Sequence, residues 1–227
     1  LVADTTSRAA TVQDYLDDLQ AERNATWGED RLAAHAALRQ SLEDDADRSR
    51  FLKAGDHVTP FVLDEADGGR VILSDLLAEG PVVLLFFRFE GCPACNAALR
   101  GYQETLSGPL RDLGARLVAI SPQAVGRLGA IKLRQGLEFL VASDPGAQLI
   151  DAFGIGFAPD EEARERSRTE GHDLAETLGT GSWTLPYPTA VVIATDSVAT
   201  FVDVHPNWMV RTVASTILDE VRKLTES

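Results

Sequence analysis

An α/β domain on a central mixed sheet flanked by helices, preceded by a helical extension, is the architecture this sequence predicts. Three observations carry that prediction. Val82 to Phe87 is an unbroken apolar run of strand length, suited to a strand buried on both faces. Strand and helix patterns alternate on either side of it, which implies a mainly parallel sheet. Two late strand patterns, Ala190 to Ala194 and Phe201 to Val204, lie close together and add an antiparallel portion. With 227 residues the chain has room for one such domain plus a minor appendage. We divide it into a helical extension over residues 1–52 and a main domain over residues 53–227.

Within the extension, Val12, Tyr15, Leu16 and Leu19 recur at helical spacing. A break over Asn24 to Gly28 precedes a second helical pattern through Leu32, Ala36, Leu38 and Leu42. Both stripes are narrow, so a helical hairpin packed on the main domain is expected, with a homodimer contact as the other use of the same surface. Phe61 to Leu63 and Val71 to Leu73 flank the turn Asp67-Gly68-Gly69 and read as a β-hairpin. Ser74 is placed to cap a short helix ending at Gly80. After the buried strand, a helix is expected from about Cys92 to Leu106. Arg116 to Ile120 is the next strand, ending at Ser121-Pro122. A helix carrying Val125, Leu128, Ile131 and Leu133 follows, then a short strand over Phe139 to Ala142, closed by Ser143-Asp144-Pro145-Gly146. Residues 158–182, charged and spotted with glycine, read as an inserted helix and loop. Val210, Val213, Ile217, Val221 and Leu224 form a helical stripe to the end.

The composition excludes several functions. With 35 acidic against 21 basic residues the net charge is −14, which repels nucleic-acid phosphates and anionic membrane surfaces. No apolar stretch approaches the 18 residues of a membrane span. Leu1 to Thr6 carries neither the basic nor the apolar part of a secretory signal. The expected location is therefore the cytoplasm.

The two cysteines, Cys92 and Cys95, stand three positions apart in Gly91-Cys92-Pro93-Ala94-Cys95. A disulfide between them closes almost no loop and stabilises a fold very little, so a chemical role is favoured over a scaffolding one. The pair follows the buried strand and opens the predicted helix. Unpaired N–H groups and the dipole at a helix start favour an anion there, and Pro93 suits an early helical position. A free thiol at pKa about 8.5 is only a few per cent thiolate at neutral pH; lowering it to about 7 raises that fraction roughly fifteen-fold, worth about 2 kcal/mol. Residues three apart on a helix lie roughly 5–6 Å apart, within disulfide reach. Cys92 is therefore the candidate nucleophile and Cys95 the resolving thiol. The assignment requires the two sulfurs to face one another with a route from solvent. Glu90 counts against it, because a nearby carboxylate disfavours a thiolate.

Other readings of the pair are half a zinc site or two inert buried thiols. His35, His57, His172 and His205 are scattered and no second cysteine pair exists, so neither metal nor cofactor is expected. Downstream, Trp183-Thr184-Leu185-Pro186-Tyr187-Pro188-Thr189 immediately precedes a predicted strand. Pro188 suits a strand entrance, where its bond is either cis or an ordinary trans linkage.

Taken together these segments resemble the peroxiredoxin-like branch of the thioredoxin superfamily, labelled alkyl hydroperoxide reductase and thiol-specific antioxidant, over roughly residues 55–220. The resemblance runs through Gly55-Asp56, Pro60-Phe61, Leu73-Ser74-Asp75-Leu76, Pro81 to Phe87, Cys92 to Cys95, Leu117 to Gln123, Ser143-Asp144-Pro145 and Pro188-Thr189. It implies a thioredoxin-like fold and reduction of a peroxide or disulfide through Cys92, with a thiol reductant such as a thioredoxin-like protein. It also implies a cis-proline at Pro188 facing the cysteine pair and seating substrate, with Tyr187 beside it. The sequence departs from that family at Phe89, where a Thr or Ser is typical, at Leu85, where a proline is typical, and at Gly91, where an aromatic residue is common. The family's thiolate-supporting arginine has no evident match beside Pro188. Family resemblance favours peroxide over protein disulfide as the acceptor. The competing function is a non-catalytic thioredoxin-fold module that binds a partner through its acidic N-terminal helices.

Overall fold

The computed structural model describes residues 10–226, so the reading of Leu1 to Thr6 falls outside the described residues. Helix α1 (Val12–Thr26) begins with a capping box, in which the Thr11 side chain accepts from Asp14 N–H and the Asp14 carboxylate accepts from Thr11 N–H. Helix α2 (Glu29–Asp45) starts after Gly28 with no side-chain cap and buries none of its residues. The hairpin β1 (Val62–Glu65) and β2 (Arg70–Ile72) leads into α3 (Leu73–Glu79), then β3 (Val82–Phe86) and α4 (Pro93–Tyr102). After α4 come one π-helical turn over Gln103–Ser107, α5 (Gly108–Asp112), β4 (Arg116–Ser121), α6 (Val125–Gln135) and β5 (Leu140–Ser143). The remaining elements are α7 (Gln148–Ala152), β6 (Gly156–Phe157), α8 (Glu161–Thr169), α9 (Leu174–Leu178), β7 (Leu185–Pro186), β8 (Thr189–Ile193), β9 (Ala199–Val204) and α10 (Ala214–Thr225).

The main sheet runs β2-β1-β5-β4-β3-β8-β9. Only β5, β4 and β3 are parallel neighbours; every other pairing in it is antiparallel. The sheet is thus mixed, as expected, but not mainly parallel. A β-hairpin joins its partner with a short turn, and this chain places one at each edge. Central β3 and β8 are buried along their whole length, which explains why β3 shows no alternation in sequence.

Two apolar layers cover the sheet. One contains Leu85, Leu99, Leu106, Ile131 and Ile217 with the cysteine pair; the other contains Leu84, Phe86, Ile120, Ile150 and Phe153. Helix α1 joins the first layer through Val12 and Leu16, so its apolar side is used within the chain. Contact with α4 is close enough to demand a glycine. A Cβ on Gly101 would stand 2.7 Å from Val12 Cα. Gly101→Ala gains about 1 kcal/mol of helix propensity but forces α1 off the helix bearing the cysteines. Gly101→Val is expected to destabilise the chain by about 1–3 kcal/mol, read as a lower denaturant midpoint.

Several local expectations are corrected. Ile72, not Ser74, occupies the N-cap of α3, and the Ser74 hydroxyl instead donates to Asp75. Leu133 is 86% exposed, because it stands two residues past Ile131 and points off the buried face of α6. Val210 and Val213 precede α10 and are exposed; a loop, not a helix, carries them. The insertion over 158–182 holds two helices, α8 and α9. No helix among the described residues is long and apolar enough to cross a membrane.

Candidate active site

Strand β3 delivers the chain to the carboxyl edge of the sheet, where Phe87-Arg88-Phe89-Glu90-Gly91 turns into α4. Polar side chains fix that turn. Ser121, at the end of β4, donates its hydroxyl to the Arg88 carbonyl at 2.9 Å. Gln123 accepts from Glu90 N–H at 2.8 Å, and Asn96 donates to the carbonyls of Glu90 and Cys92 at 2.7 and 2.9 Å. Cys92 is the N-cap of α4 and Pro93 is its first helical residue, as the sequence requires.

Two donors converge on the Cys92 sulfur. Cys95 N–H lies 3.3 Å from Cys92 Sγ and Arg88 Nη2 lies 3.1 Å from it. Burial pushes this thiol up, yet the Cys95 thiol, the Arg88 guanidinium and the Cys95 backbone N–H outweigh burial and hold Cys92 well below the usual thiol range. Burial, followed by the adjacent Cys92 anion, drives Cys95 the opposite way, so it keeps its proton. The two sulfurs thus differ, one favouring the anion and its neighbour the protonated form. Both are free thiols. Glu90 does not oppose this arrangement, because its carboxylate is engaged by Arg134.

Arg88 is the residue that sequence reasoning missed. The family resemblance implies an arginine beside Pro188, whereas this one stands just past β3, four positions before Cys92. A basic residue at the carboxyl edge of a buried strand, directly before the cysteine turn, was the available signal. A second arginine also came unannounced. Arg211 lines a small cavity of about 10 Å³ together with Cys95 and Pro188, and its charge acts against the rise in the Cys95 thiol.

Both sulfurs are 0% exposed. Their surroundings are not wholly apolar, however, since Arg88 itself lines a cleft of about 1050 Å³. Its walls include Leu42, Phe89, Phe157, Tyr187 and Trp208. Arg88 therefore stands between the cleft and the sulfur it touches.

The structure brings Pro188 to the small cavity lined by Cys95, but not in the implied geometry. No peptide bond among the described residues is cis. Pro188 is trans because the chain runs extended from β7 into β8, with Tyr187 N–H held by the Ile155 carbonyl at 2.8 Å and the Pro188 carbonyl by His205 N–H at 2.9 Å. Tyr187 stacks on Phe157, with ring centroids 4.9 Å apart, and faces the cleft. Among the described residues no group of three or more His, Cys, Asp or Glu side chains could hold a metal ion.

A mixed sheet with a cysteine pair opening the helix after its central strand is the thioredoxin-like arrangement. The AhpC/TSA family profile matches residues 54–201, and the chain belongs to that family. It is 31% identical over 103 residues to a candidate peroxiredoxin of Mycobacterium tuberculosis (strain ATCC 25618 / H37Rv), covering 45% of this chain and 64% of that protein. It is also 33% identical over 113 residues to the thiol-disulfide oxidoreductase ResA of Halalkalibacterium halodurans, covering 48% of this chain and 61% of that protein. The matches thus span just under two thirds of these relatives' own length. Among solved structures, the peroxidoxin BcpB of Mycobacterium tuberculosis superposes with a TM-score of 0.59 at 22% identity, covering 76% of this chain and 98% of that one. That likeness shows the fold.

Proposed function

We propose that the chain is a thiol-dependent oxidoreductase that reduces peroxides or disulfides through a Cys92–Cys95 dithiol cycle. The observation that carries this reading is the pair of donors, Arg88 Nη2 and Cys95 N–H, aimed at one sulfur. With a peroxide, the Cys92 thiolate attacks one oxygen and the O–O bond breaks. Cys92 becomes a sulfenic acid and the other oxygen leaves as alcohol or water. The Cys95 thiol then displaces hydroxide from that sulfur, giving a disulfide and water. A thiol reductant, such as a thioredoxin-like protein, returns both sulfurs to thiols. Names of the relatives support either acceptor, and family membership favours peroxide. Pro188 and Tyr187 act as substrate-positioning residues, Pro188 from the cavity behind Cys95 and Tyr187 from the cleft wall. The reading fits a cytoplasmic setting, where thiol reductants keep such a pair reduced.

The pH dependence of Cys92 alkylation tests the proposal. A thiolate held low should react at a rate that is already near its plateau at neutral pH and falls only in acid. A rate that climbs tenfold per pH unit up to about 8.5 is the behaviour of an unassisted thiol and would refute it. The complete burial of both sulfurs favours a second reading, a non-catalytic interaction module. Failure of the native reduced protein to be alkylated at all, or to consume peroxide or disulfide with thiol, would establish that alternative.

A further inference from the structure

We infer that a site for a carboxylate-class anion lies beside Cys92, built by the α1–α2 hairpin and the loop bearing Trp208. The inference rests on Cys92 being the reacting thiol proposed above. Four arginines meet there on two indole rings. Arg31 and Arg23 lie 3.8 and 4.9 Å from the Trp27 ring centre, and Arg88 and Arg39 lie 4.8 and 5.9 Å from that of Trp208. His35 joins the two rings edge-on, 4.7 Å from Trp27 and 6.2 Å from Trp208.

None of these four arginines has an ion-pair partner among the described residues. That is notable in a chain of net charge −14. They nevertheless sit close enough to matter to one another. Burial first, then Arg23, Arg31, Arg39 and Arg88, hold the His35 imidazole below its ordinary range, leaving it neutral at pH 7. The Cys92 sulfur acts on both Arg23 and Arg88, and Arg88 is also raised by Cys95. No carboxylate pairs with any of the four guanidiniums among the described residues.

Two buried polar atoms in the same cluster, Arg88 Nε and His35 Nδ1, have no hydrogen-bond partner. Leaving such an atom unpaired in the interior is unfavourable. A ligand offering two adjacent anionic oxygens would satisfy unused guanidinium donors in the planar, two-point manner that arginine and carboxylate share. Trp208 and Arg88 also belong to the cleft, whose apolar walls Leu42, Phe89, Phe157 and Tyr187 can receive the hydrocarbon part of the same molecule. Its carboxylates Asp45, Asp47, Asp160 and Glu170 leave the arginine cluster as the place for the anionic end. Arg23, Arg31, His35 and Arg39 all precede residue 54, where the family match begins. The selectivity is thus supplied by this chain's own extension.

The probe is a pair of small alkylating agents, iodoacetate and its neutral counterpart iodoacetamide, applied to the reduced full-length protein. Labelling at Cys92 is followed by mass spectrometry. Electrostatic enrichment of this kind is worth about 10- to 1000-fold. The iodoacetate-to-iodoacetamide rate ratio at Cys92 is therefore expected to exceed that of free cysteine by at least about tenfold. The double variant Arg31→Gln/Arg39→Gln should bring the ratio most of the way back, while Arg222→Gln, a neutralisation on α10, should not. A ratio equal to that of free cysteine, with iodoacetamide still labelling Cys92, overturns the anion site and leaves the redox reading standing. No labelling by either reagent overturns both.

Two further arms find which reactant brings the carboxylate. Single-turnover oxidation is compared between a carboxylate-bearing hydroperoxide and its methyl ester. Reduction of the oxidised protein is compared between mercaptoacetate and mercaptoethanol. Preference for the acid in the first pair assigns the site to the oxidant, and in the second to the reductant. Preference in neither counts against a role for the site in turnover and sinks the inference.

Discussion

Replacing Cys92 with serine is expected to abolish thiol-dependent turnover, leaving only background consumption of peroxide or disulfide. A serine hydroxyl is not ionised near neutral pH, and Arg88 and Cys95 N–H would then face a neutral oxygen. The partner substitution separates the two roles. Cys95→Ser should permit the first oxidation of Cys92 but prevent the internal disulfide, so the protein stops after one equivalent of oxidant unless a small thiol attacks the adduct directly. Stopped-flow oxidation combined with mass spectrometry distinguishes the two variants. Full turnover by Cys92→Ser would remove the nucleophile assignment.

Arg88→Leu should produce the second large effect. A hydrogen bond to a charged group is worth about 1.5–3 kcal/mol, which corresponds to roughly 10- to 100-fold in thiolate population below the plateau. The variant's alkylation curve should move to higher pH and its rate near pH 6 should fall by that factor. Arg88→Lys keeps the charge but loses the planar donor set, so it should lie between wild type and leucine. The same change has a signature in stability. Cys92 is held below its unfolded value in the folded chain, so its contribution is fully present above about pH 8.5 and declines as pH falls through the folded value. The stability difference between reduced wild type and Arg88→Leu should shrink in acid. A difference that grows there would place the cause elsewhere.

The parts of the molecule legible in sequence are those governed by local pattern. The β3 run, the turn Asp67-Gly68-Gly69 and the placement of Pro93 just after Cys92 each reflect physics that acts over a few residues. So does the pair of helical stripes in the extension. Less visible were features set by distant chain. Arg88 acquires its role because Ser121, from the next strand over, fixes its carbonyl while Trp208 backs its guanidinium. Nothing in the local sequence announces a partner 120 positions away. The two-residue strands β6 and β7 are too short to show any period. Leu133 and Val213 mislead for the opposite reason, since apolar type alone does not mark burial and surfaces carry scattered apolar residues as well. At Pro188 the family's geometry and this chain's backbone part company, a difference only the fold could reveal.

The absence of any buried side chain on α2 bears on how the molecule breathes. Helix α1 is anchored by its capping box and by Val12, Leu16 and Arg23, whereas α2 holds on through half-buried Leu42 and through the ring contacts of His35 and Arg39. Sub-global openings draw on the least anchored segments first, so amide hydrogens of α2 should exchange with solvent well before those of α1 or β3. Each such excursion would lift one wall of the cleft and withdraw Arg31, His35 and Arg39 together. Admission of reactants to the enclosed sulfur would then follow the frequency of a single helix lifting away, with the remainder of the protein still folded.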